Sequence, residues 1–236
     1  MSFLTAEWRK LAIANYIISP EVLKPFVPYG TELDFWQDRC YVSLIGFRFV
    51  NTRVLGIKVP FHVNFDEVNL RFYVRRKSDE GWRRGVVFIK EIVPKPAITW
   101  VANTLYKEHY ETRPMRSSWE VREEDQRISY EWKRGPEWNR IAVEAGLEGH
   151  ALQAGSEEEF ITEHYWGYAA AGAEKSNEYE VTHPRWQTYQ VNNFDIRTDF
   201  AANYGQAFAF LQSQSPASVM LAEGSAITVE KKNVIR

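Results

Sequence analysis

A row of four polar side chains in the stretch FDEVNLRFYVRR has the residue types and the spacing to do acid–base chemistry. The row, with apolar residues between its members, consists of Glu67, Asn69, Arg71 and Tyr73. A period of two residues indicates a β-strand that presents the row on one face. Two interpretations remain open at this point. The row faces solvent, or a carboxylate and a guanidinium face a cavity, where they could bind a small organic acid and move its protons.

The next strand, GVVFIKEIVPK, is apolar on both faces apart from two charged residues. Strict alternation would place Lys90 with Val86, Phe88 and Ile92, and Glu91 on the opposite face. A strand of this kind is covered on both sides, so one of the two charges is predicted to lie inside the protein. A desolvated amine loses its proton and can attack a carbonyl carbon, which makes Lys90 a candidate substrate-binding residue. The alternative is a lysine that reaches solvent from the strand edge.

A second alternating row consists of His164, Trp166 and Tyr168. It could be core with one hydrogen-bonded imidazole, or one side of an aromatic pocket. On the second interpretation His164 and Trp166 would bind a substrate.

Metal and cofactor sites have little support in the sequence. Five histidines are scattered without an H-x-x-x-H or H-x-H pair, and the single cysteine, Cys40, excludes an internal disulfide and a cysteine-based metal cluster. The chain has no G-x-S-x-G, P-loop or G-x-G-x-x-G motif. We therefore predict no metal and no cofactor.

Charge and hydropathy limit the partners and the location that we expect. The net charge of −2 favours neither nucleic acid nor an anionic membrane as a partner. No apolar run approaches the roughly 20 residues of a membrane span, and MSFLTAEWRK is unlike a signal peptide. We expect a cytoplasmic protein whose partner is a small molecule. The sequence does not indicate an oligomeric state.

About a dozen predicted strands and a few short helices must position these residues. The helices are predicted after Ser19-Pro20, from Pro96 to Tyr110, at Glu157–Thr162 behind a Ser156–Glu159 capping box, and from Asp199. Val54 to Val59 is predicted as a strand, and Ser218–Ala222 and Ala226–Glu230 as a hairpin that turns at Glu223-Gly224-Ser225. With no βαβ alternation, the pattern favours one β-rich domain over residues 1–236, built on a closed or nearly closed sheet.

Several long motifs carry a resemblance to a known family. They include LKPFVPYGTELDFW, VSLIGFRFVNTRVLGIKVPFHVNFDEVNLRFYVR, RRGVVFIKEIVP, EFITEHYWGY, HPRWQTYQV and PASVMLAEGS. Over nearly the whole chain the sequence resembles the bacterial YqjF-like proteins, a domain family of unknown function grouped with the acetoacetate decarboxylase superfamily. The resemblance implies a mainly β (α+β) fold, a closed, cone-like antiparallel β-barrel with a few short helices around a central cavity.

The more distant resemblance to acetoacetate decarboxylase itself can be followed by residue. Glu67 matches a cavity glutamate, and Pro96-Ala97-Ile98 with the helix to Leu105 matches the approach to that enzyme's paired lysines. At the lysine positions this chain has His109-Tyr110-Glu111. Without the amine there is no iminium electron sink, so decarboxylation by that route is not expected. The resemblance then implies a cavity, the Glu67 carboxyl and a hydroxyl at Tyr110.

Three functional hypotheses follow. The leading one is a lyase-type enzyme acting on an oxo or hydroxy organic acid, with Glu67 as acid and base, Tyr110 as hydroxyl donor, and Arg71 or His164 orienting the substrate. The rival is a non-catalytic small-molecule binding barrel, which the nine tryptophans favour. The third is a structural or protein-interaction module whose interior is filled by its own side chains.

Overall fold

Strands dominate the computed structural model of the chain, which describes residues 2–236. The fourteen strands are β1 Leu4–Ile17, β2 Glu32–Leu33, β3 Tyr41–Val54, β4 Phe65–Ser78, β5 Gly81–Val93, β6 Tyr110–Thr112, β7 Met115–Val121, β8 Asp125–Arg134, β9 Glu137–Ala151, β10 Trp166–Gly172, β11 Lys175–Thr182, β12 Gln187–Arg197, β13 Ser218–Val229 and β14 Asn233–Ile235. The α-helices are α1 Pro20–Leu23, α2 Pro96–Val101, α3 Glu157–Thr162 and α4 Phe200–Tyr204. Three helical turns of other types lie at Lys24–Phe26, Ala102–Tyr106 and Gln206–Ser213.

Seven strands curl into a ring, which we call the inner ring. Its order is β11-β10-β5-β4-β3-β1-β13, and β13 returns to β11 through the pairs Val181–Val229 and Thr182–Thr228. The mainly β fold class with a few short helices is confirmed. The sheet is mixed rather than wholly antiparallel, because β5 pairs in parallel with β10 and with β6.

A second layer, the outer sheet, covers one side of the inner ring. From β13 the hydrogen bonding continues through β12, β9, β8 and β7. Apolar side chains of the outer sheet, such as Tyr130 and Ile141, share a buried core with outward-facing residues of the ring, such as Leu44 and Leu70. The ring strands are therefore buried on both faces, one against this core and the other around the ring's interior.

Strand β4 follows the alternation that its sequence predicts. The apolar positions Val68 and Leu70 lie in the core between the two layers, whereas Glu67, Asn69 and Arg71 face a cavity inside the ring. All three polar side chains are buried. The alternative of a solvated polar face is therefore wrong.

Strand β5 departs from strict alternation at a β-bulge. Leu70 pairs with Lys90, but the next residue, Arg71, pairs with Phe88, so Ile89 is an extra residue on β5. A bulge of this kind shifts the residues beyond it to the opposite face. Glu91 therefore lines the cavity with Phe88, and the prediction that Phe88 shares its face with Lys90 is wrong.

Two local predictions are wrong, one at a turn and one inside a strand. Val54 to Val59 is not a strand: Val54 and Ile57 close a turn by mutual backbone hydrogen bonds of 3.0 and 2.9 Å. The expected hairpin turn at Gly224 lies inside the continuous strand β13. Gly224 has φ +80° and approaches β1 so closely that a Cβ would lie 2.0 Å from the Trp8 carbonyl oxygen. The glycine marks a close approach between strands rather than a reversal.

The helix predicted from Pro96 to Tyr110 ends early. It runs through α2 and a π-helical turn, and Lys107, with φ +63°, ends it. Tyr110 then opens β6 opposite Glu91, and its backbone is held by Asn103, whose side-chain oxygen accepts from the Tyr110 amide at 2.7 Å. Parallel pairing with β5 thus competes successfully with helix propagation. Among residues 2–236, no helix is both long and apolar enough to cross a membrane.

Candidate functional site

The interior of the ring contains a cavity of about 290 Å³. Its walls are mostly apolar, with aromatic rings that include Trp8, Phe47, Phe49, Phe65, Phe88, Trp166 and Trp186. A concave, mainly apolar site with a few convergent polar groups is typical of small-molecule binding. Two clusters of polar side chains, one around Glu67 and one around His164, face the cavity.

The first cluster is built on three adjacent strands. Glu67 and Asn69 belong to β4, Glu91 lies opposite Asn69 on β5, and Tyr110 lies opposite Glu91 on β6. The Asn69 amide donates to Glu67 Oε1 at 3.0 Å, and the Tyr110 hydroxyl donates to Glu67 Oε2 at 3.1 Å. Both oxygens of the Glu67 carboxyl are thus oriented by side chains on rigid strands.

Burial dominates the electrostatics of Glu67. Its side chain is 2% exposed, and removal from water raises the pKa of Glu67 to about 7, although the hydrogen bonds from Asn69 and Tyr110 and the charge of Arg71 oppose this shift. A carboxyl with a pKa near neutrality can both accept and donate a proton at physiological pH.

Two further carboxyls, Glu91 and Glu108, adjoin Glu67. Burial, together with the charges of Glu108 and Glu67, raises the pKa of Glu91 well above its usual value, and its Oε2 has no hydrogen-bond partner. Burial raises the pKa of Glu108 to about 8, although Tyr179 donates a hydrogen bond of 2.8 Å to Glu108 Oε1. Neighbouring carboxyls in an apolar site cannot all ionise, so this cluster retains protons at neutral pH.

The second cluster contains an imidazole that the sequence did identify. His164 lines the cavity, and its Nε2 lies 3.2 Å from Asp34 Oδ2, which also accepts from Arg84 Nε at 2.7 Å. Despite the opposing effect of burial, these two partners lower the pKa of Asp34. Burial lowers the pKa of His164 to about 4. The neutral His164 ring donates from Nε2 to the ionised Asp34, so its Nδ1 carries no proton and can accept a hydrogen bond. Nδ1 has no hydrogen-bond partner.

Arg71 lies beside this imidazole, and its charge contributes to the lowered pKa of His164. The guanidinium donates from Nη2 to the Ile161 carbonyl at 3.1 Å and stands over the Tyr73 ring, 5.6 Å from its centroid. Its Nε has no partner. The second cluster thus supplies an unused donor and an unused acceptor on residues that line the cavity.

The cavity brings together five of the six residues singled out from sequence. Glu67, Tyr110, Arg71, His164 and Trp166 all line it. The sixth, Lys90, lies beyond the bulge and pairs with Glu111 at 3.1 Å. Among residues 2–236, no lysine lines the cavity, and no group of three or more His, Cys, Asp and Glu side chains is placed to hold a metal ion.

Sequence reasoning missed Glu108, Tyr179 and Asp34. Glu91 was one of two charges expected inside, and only the bulge decides between them. Glu108 follows the left-handed residue that ends the π-helical turn. Its partner Tyr179 is 71 residues away in the chain, so no local pattern could join the two.

Comparison with protein families finds one matching family, DUF2071, which is described as an uncharacterized conserved protein; its model matches residues 5–226. The chain is also similar to the uncharacterized protein YqjF of Bacillus subtilis (strain 168), with 31% identity over 75 residues. That alignment covers 31% of each protein, so the chain matches about a third of the length of this relative.

Solved structures share the fold at low sequence identity. The enduracididine biosynthesis enzyme MppR complexed with pyruvate has a TM-score of 0.72 and 10% identity, over 100% of this chain and 91% of the other. Acetoacetate decarboxylase from Legionella pneumophila has a TM-score of 0.68 and 13% identity, over 99% and 87%. An acetoacetate decarboxylase-like enzyme from Sphingomonas wittichii RW1 has a TM-score of 0.68 and 10% identity, over 100% and 94%. These likenesses establish an acetoacetate decarboxylase-like fold.

Proposed function

The chain belongs to the DUF2071 family of uncharacterized conserved proteins, and we propose that it is a lyase-type enzyme that moves protons on a small oxo or hydroxy organic acid. One observation carries the proposal. Glu67, with a pKa of about 7, lines an apolar cavity while the Tyr110 hydroxyl lies 3.1 Å from its carboxyl oxygen. This arrangement supplies a base, an adjacent hydroxyl donor and a site of low dielectric constant.

The chemistry begins with Glu67 in its ionised form. Its carboxylate takes the proton from the carbon next to the substrate's carbonyl or carboxyl group, and the electron pair of the C–H bond moves towards that group. As Glu67 takes up the proton, the Tyr110 hydroxyl turns its single hydrogen bond from Glu67 to the oxygen on which negative charge develops. For an oxo acid, a proton delivered to the oxygen gives the enol, whereas a proton returned to the carbon regenerates the acid with one hydrogen exchanged.

A hydroxy acid would allow an elimination at the same site. The electron pair left by the C–H bond forms a C=C bond, the adjacent C–OH bond breaks, and protonated Glu91 gives the leaving hydroxyl its proton, so that water departs. Glu67 is then protonated and Glu91 ionised. Tyr110 interacts with both carboxyls, so it can return the proton from Glu67 to Glu91 and restore the starting state.

The remaining cavity residues fit substrate binding. Arg71 offers a guanidinium with an unused Nε to a substrate carboxylate. Trp166 and the other rings exclude water from the reacting carbon, which strengthens every charge interaction in the site. Iminium chemistry is not part of this proposal, because no lysine of residues 2–236 lines the cavity.

Deuterium exchange tests the proposal without knowledge of the product. Purified protein is incubated in D₂O with a panel of 2-oxo and 3-hydroxy acids, and NMR follows loss of the proton next to the carbonyl or carboxyl group. We expect protein-dependent exchange with at least one acid, and a drop of several hundredfold or more in the Glu67→Gln variant. Wild-type exchange in that variant would remove Glu67 from the mechanism.

The alternative is a non-catalytic barrel that binds an apolar or aromatic metabolite, which the mostly aromatic cavity walls favour. Mass spectrometry of a metabolite extract incubated with the protein separates the two functions. Disappearance of a metabolite with appearance of a matching product indicates the enzyme. Retention of an unchanged metabolite, with an affinity that Glu67→Gln leaves intact, indicates the binding protein.

A further inference from the structure

Two segments form the mouth of the cavity, residues 51–64 and residues 95–107, and together we call them the mouth rim. Val59 and Ala97 line the cavity and are also exposed to solvent, so the cavity opens between these segments. Phe3 holds them together: its carbonyl accepts from the Leu55 amide at 2.9 Å, and its ring lies 4.9 Å from the ring of Tyr106.

The mouth rim exposes large apolar side chains that are not needed to line the cavity. Phe61 is 87% exposed, Trp100 69% and Ile57 68%, and none of the three belongs to the cavity wall. Leu55, Val59 and Leu105 are also exposed. A cluster of exposed apolar residues around a cavity mouth marks an interaction surface rather than ordinary surface composition.

The mouth rim also differs from the rest of the chain in charge. Residues 51–64 and 95–107 contain no aspartate or glutamate, although the whole chain has a net charge of −2. They carry four cationic side chains, Arg53, Lys58, Lys95 and Lys107. None of the four forms an ion pair with any residue in the described range 2–236. Four positive charges without an ion-pair partner therefore lie on the same two segments as the exposed apolar residues.

We propose that the mouth rim docks on the surface of an anionic lipid bilayer. Exposed Phe, Trp and Leu side chains fit the boundary between headgroups and acyl chains, and flanking lysines and arginines are attracted to anionic headgroups. The cavity would then open towards the bilayer. The sequence-based expectation of no membrane partner rested on the net charge of the whole chain, which conceals this local excess.

A second copy of the chain fits this surface less well. In a two-fold symmetric contact the same patch faces itself. Two mouth rims would then bring eight cationic side chains together without an acidic residue from either rim to neutralise them. Like charges across an interface oppose association, whereas an anionic bilayer neutralises all four at once.

Vesicle flotation tests the proposal with the full chain. Vesicles of phosphatidylcholine alone are compared with vesicles containing phosphatidylglycerol at about one lipid in three. We expect the protein to float with the anionic vesicles, and the bound fraction to fall several-fold between 50 mM and 500 mM salt. Failure to float with anionic vesicles at low salt would overturn the proposal.

Two variants separate the apolar and the electrostatic contributions. We expect at least tenfold weaker vesicle binding in each of two double variants, Phe61→Ser/Trp100→Ser and Lys58→Glu/Lys107→Glu. The control, Val121→Ser/Phe194→Ser, changes exposed apolar residues elsewhere and should bind as wild type does. Circular dichroism confirms that each variant is folded. Equal binding by all three variants would contradict the proposal. A wild-type dimer, detected by light scattering, would also contradict the proposal if the Phe61→Ser/Trp100→Ser variant is monomeric and the wild-type protein does not bind vesicles.

Discussion

Gly167 on β10 lies opposite Tyr179 on β11, and the tyrosine ring covers it so closely that a Cβ at Gly167 would stand 2.2 Å from Tyr179 Cζ. The absence of a side chain at this position lets the ring lie across β10 and reach Glu108, to which its hydroxyl donates at 2.8 Å. A glycine in the wall of the ring thus determines the environment of a carboxyl in the cavity.

Gly167→Ala is therefore expected to displace Tyr179. Because the contact is with a packed ring, the substitution should lower the free energy of unfolding by about 1–3 kcal/mol, measured by urea titration. Gly172→Ala on the same strand is the matched control, since its nearest contact would be an ordinary 3.9 Å to Lys175 Cβ. Equal stability of the two variants would show that the Tyr179 ring is free to move aside.

The pH dependence of catalysis should report the carboxyl cluster. In the proposed mechanism Glu67 must be ionised and a neighbouring carboxyl protonated. The rate constant kcat/KM should therefore rise as pH increases through the pKa of Glu67, about 7, and fall again at higher pH as Glu91, whose pKa is raised well above its usual value, loses its proton.

Glu108→Gln offers a sharp check on the bell-shaped profile. Removing one of the charges that raise the pKa of Glu91 should shift the alkaline limb to lower pH and leave some activity. An unchanged profile in this variant would show that the limbs belong to groups outside the cluster. Lys90→Met is the control, because Lys90 does not line the cavity.

The raised pKa of Glu67 predicts how the free energy of unfolding changes with pH. The pKa of Glu67 is about 7 in the folded chain, compared with 4.5 as the ordinary value of a glutamate. The folded state therefore holds an extra proton between these pH values, and stability falls as pH rises through that window. The contribution of Glu67 is complete below pH 4.5 and is lost above pH 7, on the order of 3 kcal/mol.

Comparing wild type with Glu67→Gln isolates this contribution. The variant lacks the ionisable group, so its stability relative to wild type should increase as pH rises from 4.5 to 8. His164 acts in the opposite direction, because its pKa is lowered from 6.5 to about 4 and stability rises with pH through that range. That effect is present in both proteins and cancels in the difference. A pH-independent difference in unfolding free energy would argue against a raised Glu67 pKa.

Local patterns predicted the parts of the site that depend on one strand. The two-residue period of β4 placed Glu67 and Arg71 on one face, and the structure shows that this face is buried. The bulge at Ile89 was not predictable, because it arises from pairing between β4 and β5 rather than from the sequence of β5 alone. The contact of Tyr179 with Glu108 requires closure of the ring, and the His164–Asp34 pair joins residues 130 positions apart.

The position of Lys90 yields a prediction about Schiff-base formation with a carbonyl compound. Lys90 is paired with Glu111, whose carboxylate also accepts hydrogen bonds from Arg113 and Arg134. Partial burial raises the pKa of Glu111, but these three partners outweigh it, and the pKa is lowered. An amine held by an ionised carboxylate on the side of β5 away from the cavity has no access to a bound carbonyl compound. Incubation with pyruvate and sodium borohydride, which reduces any iminium to a stable amine, should therefore leave the mass of the protein unchanged, and Lys90→Met should retain wild-type activity. A pyruvate-derived mass increase that maps to Lys90 and disappears in Lys90→Met would show instead that β5 can turn this lysine into the cavity.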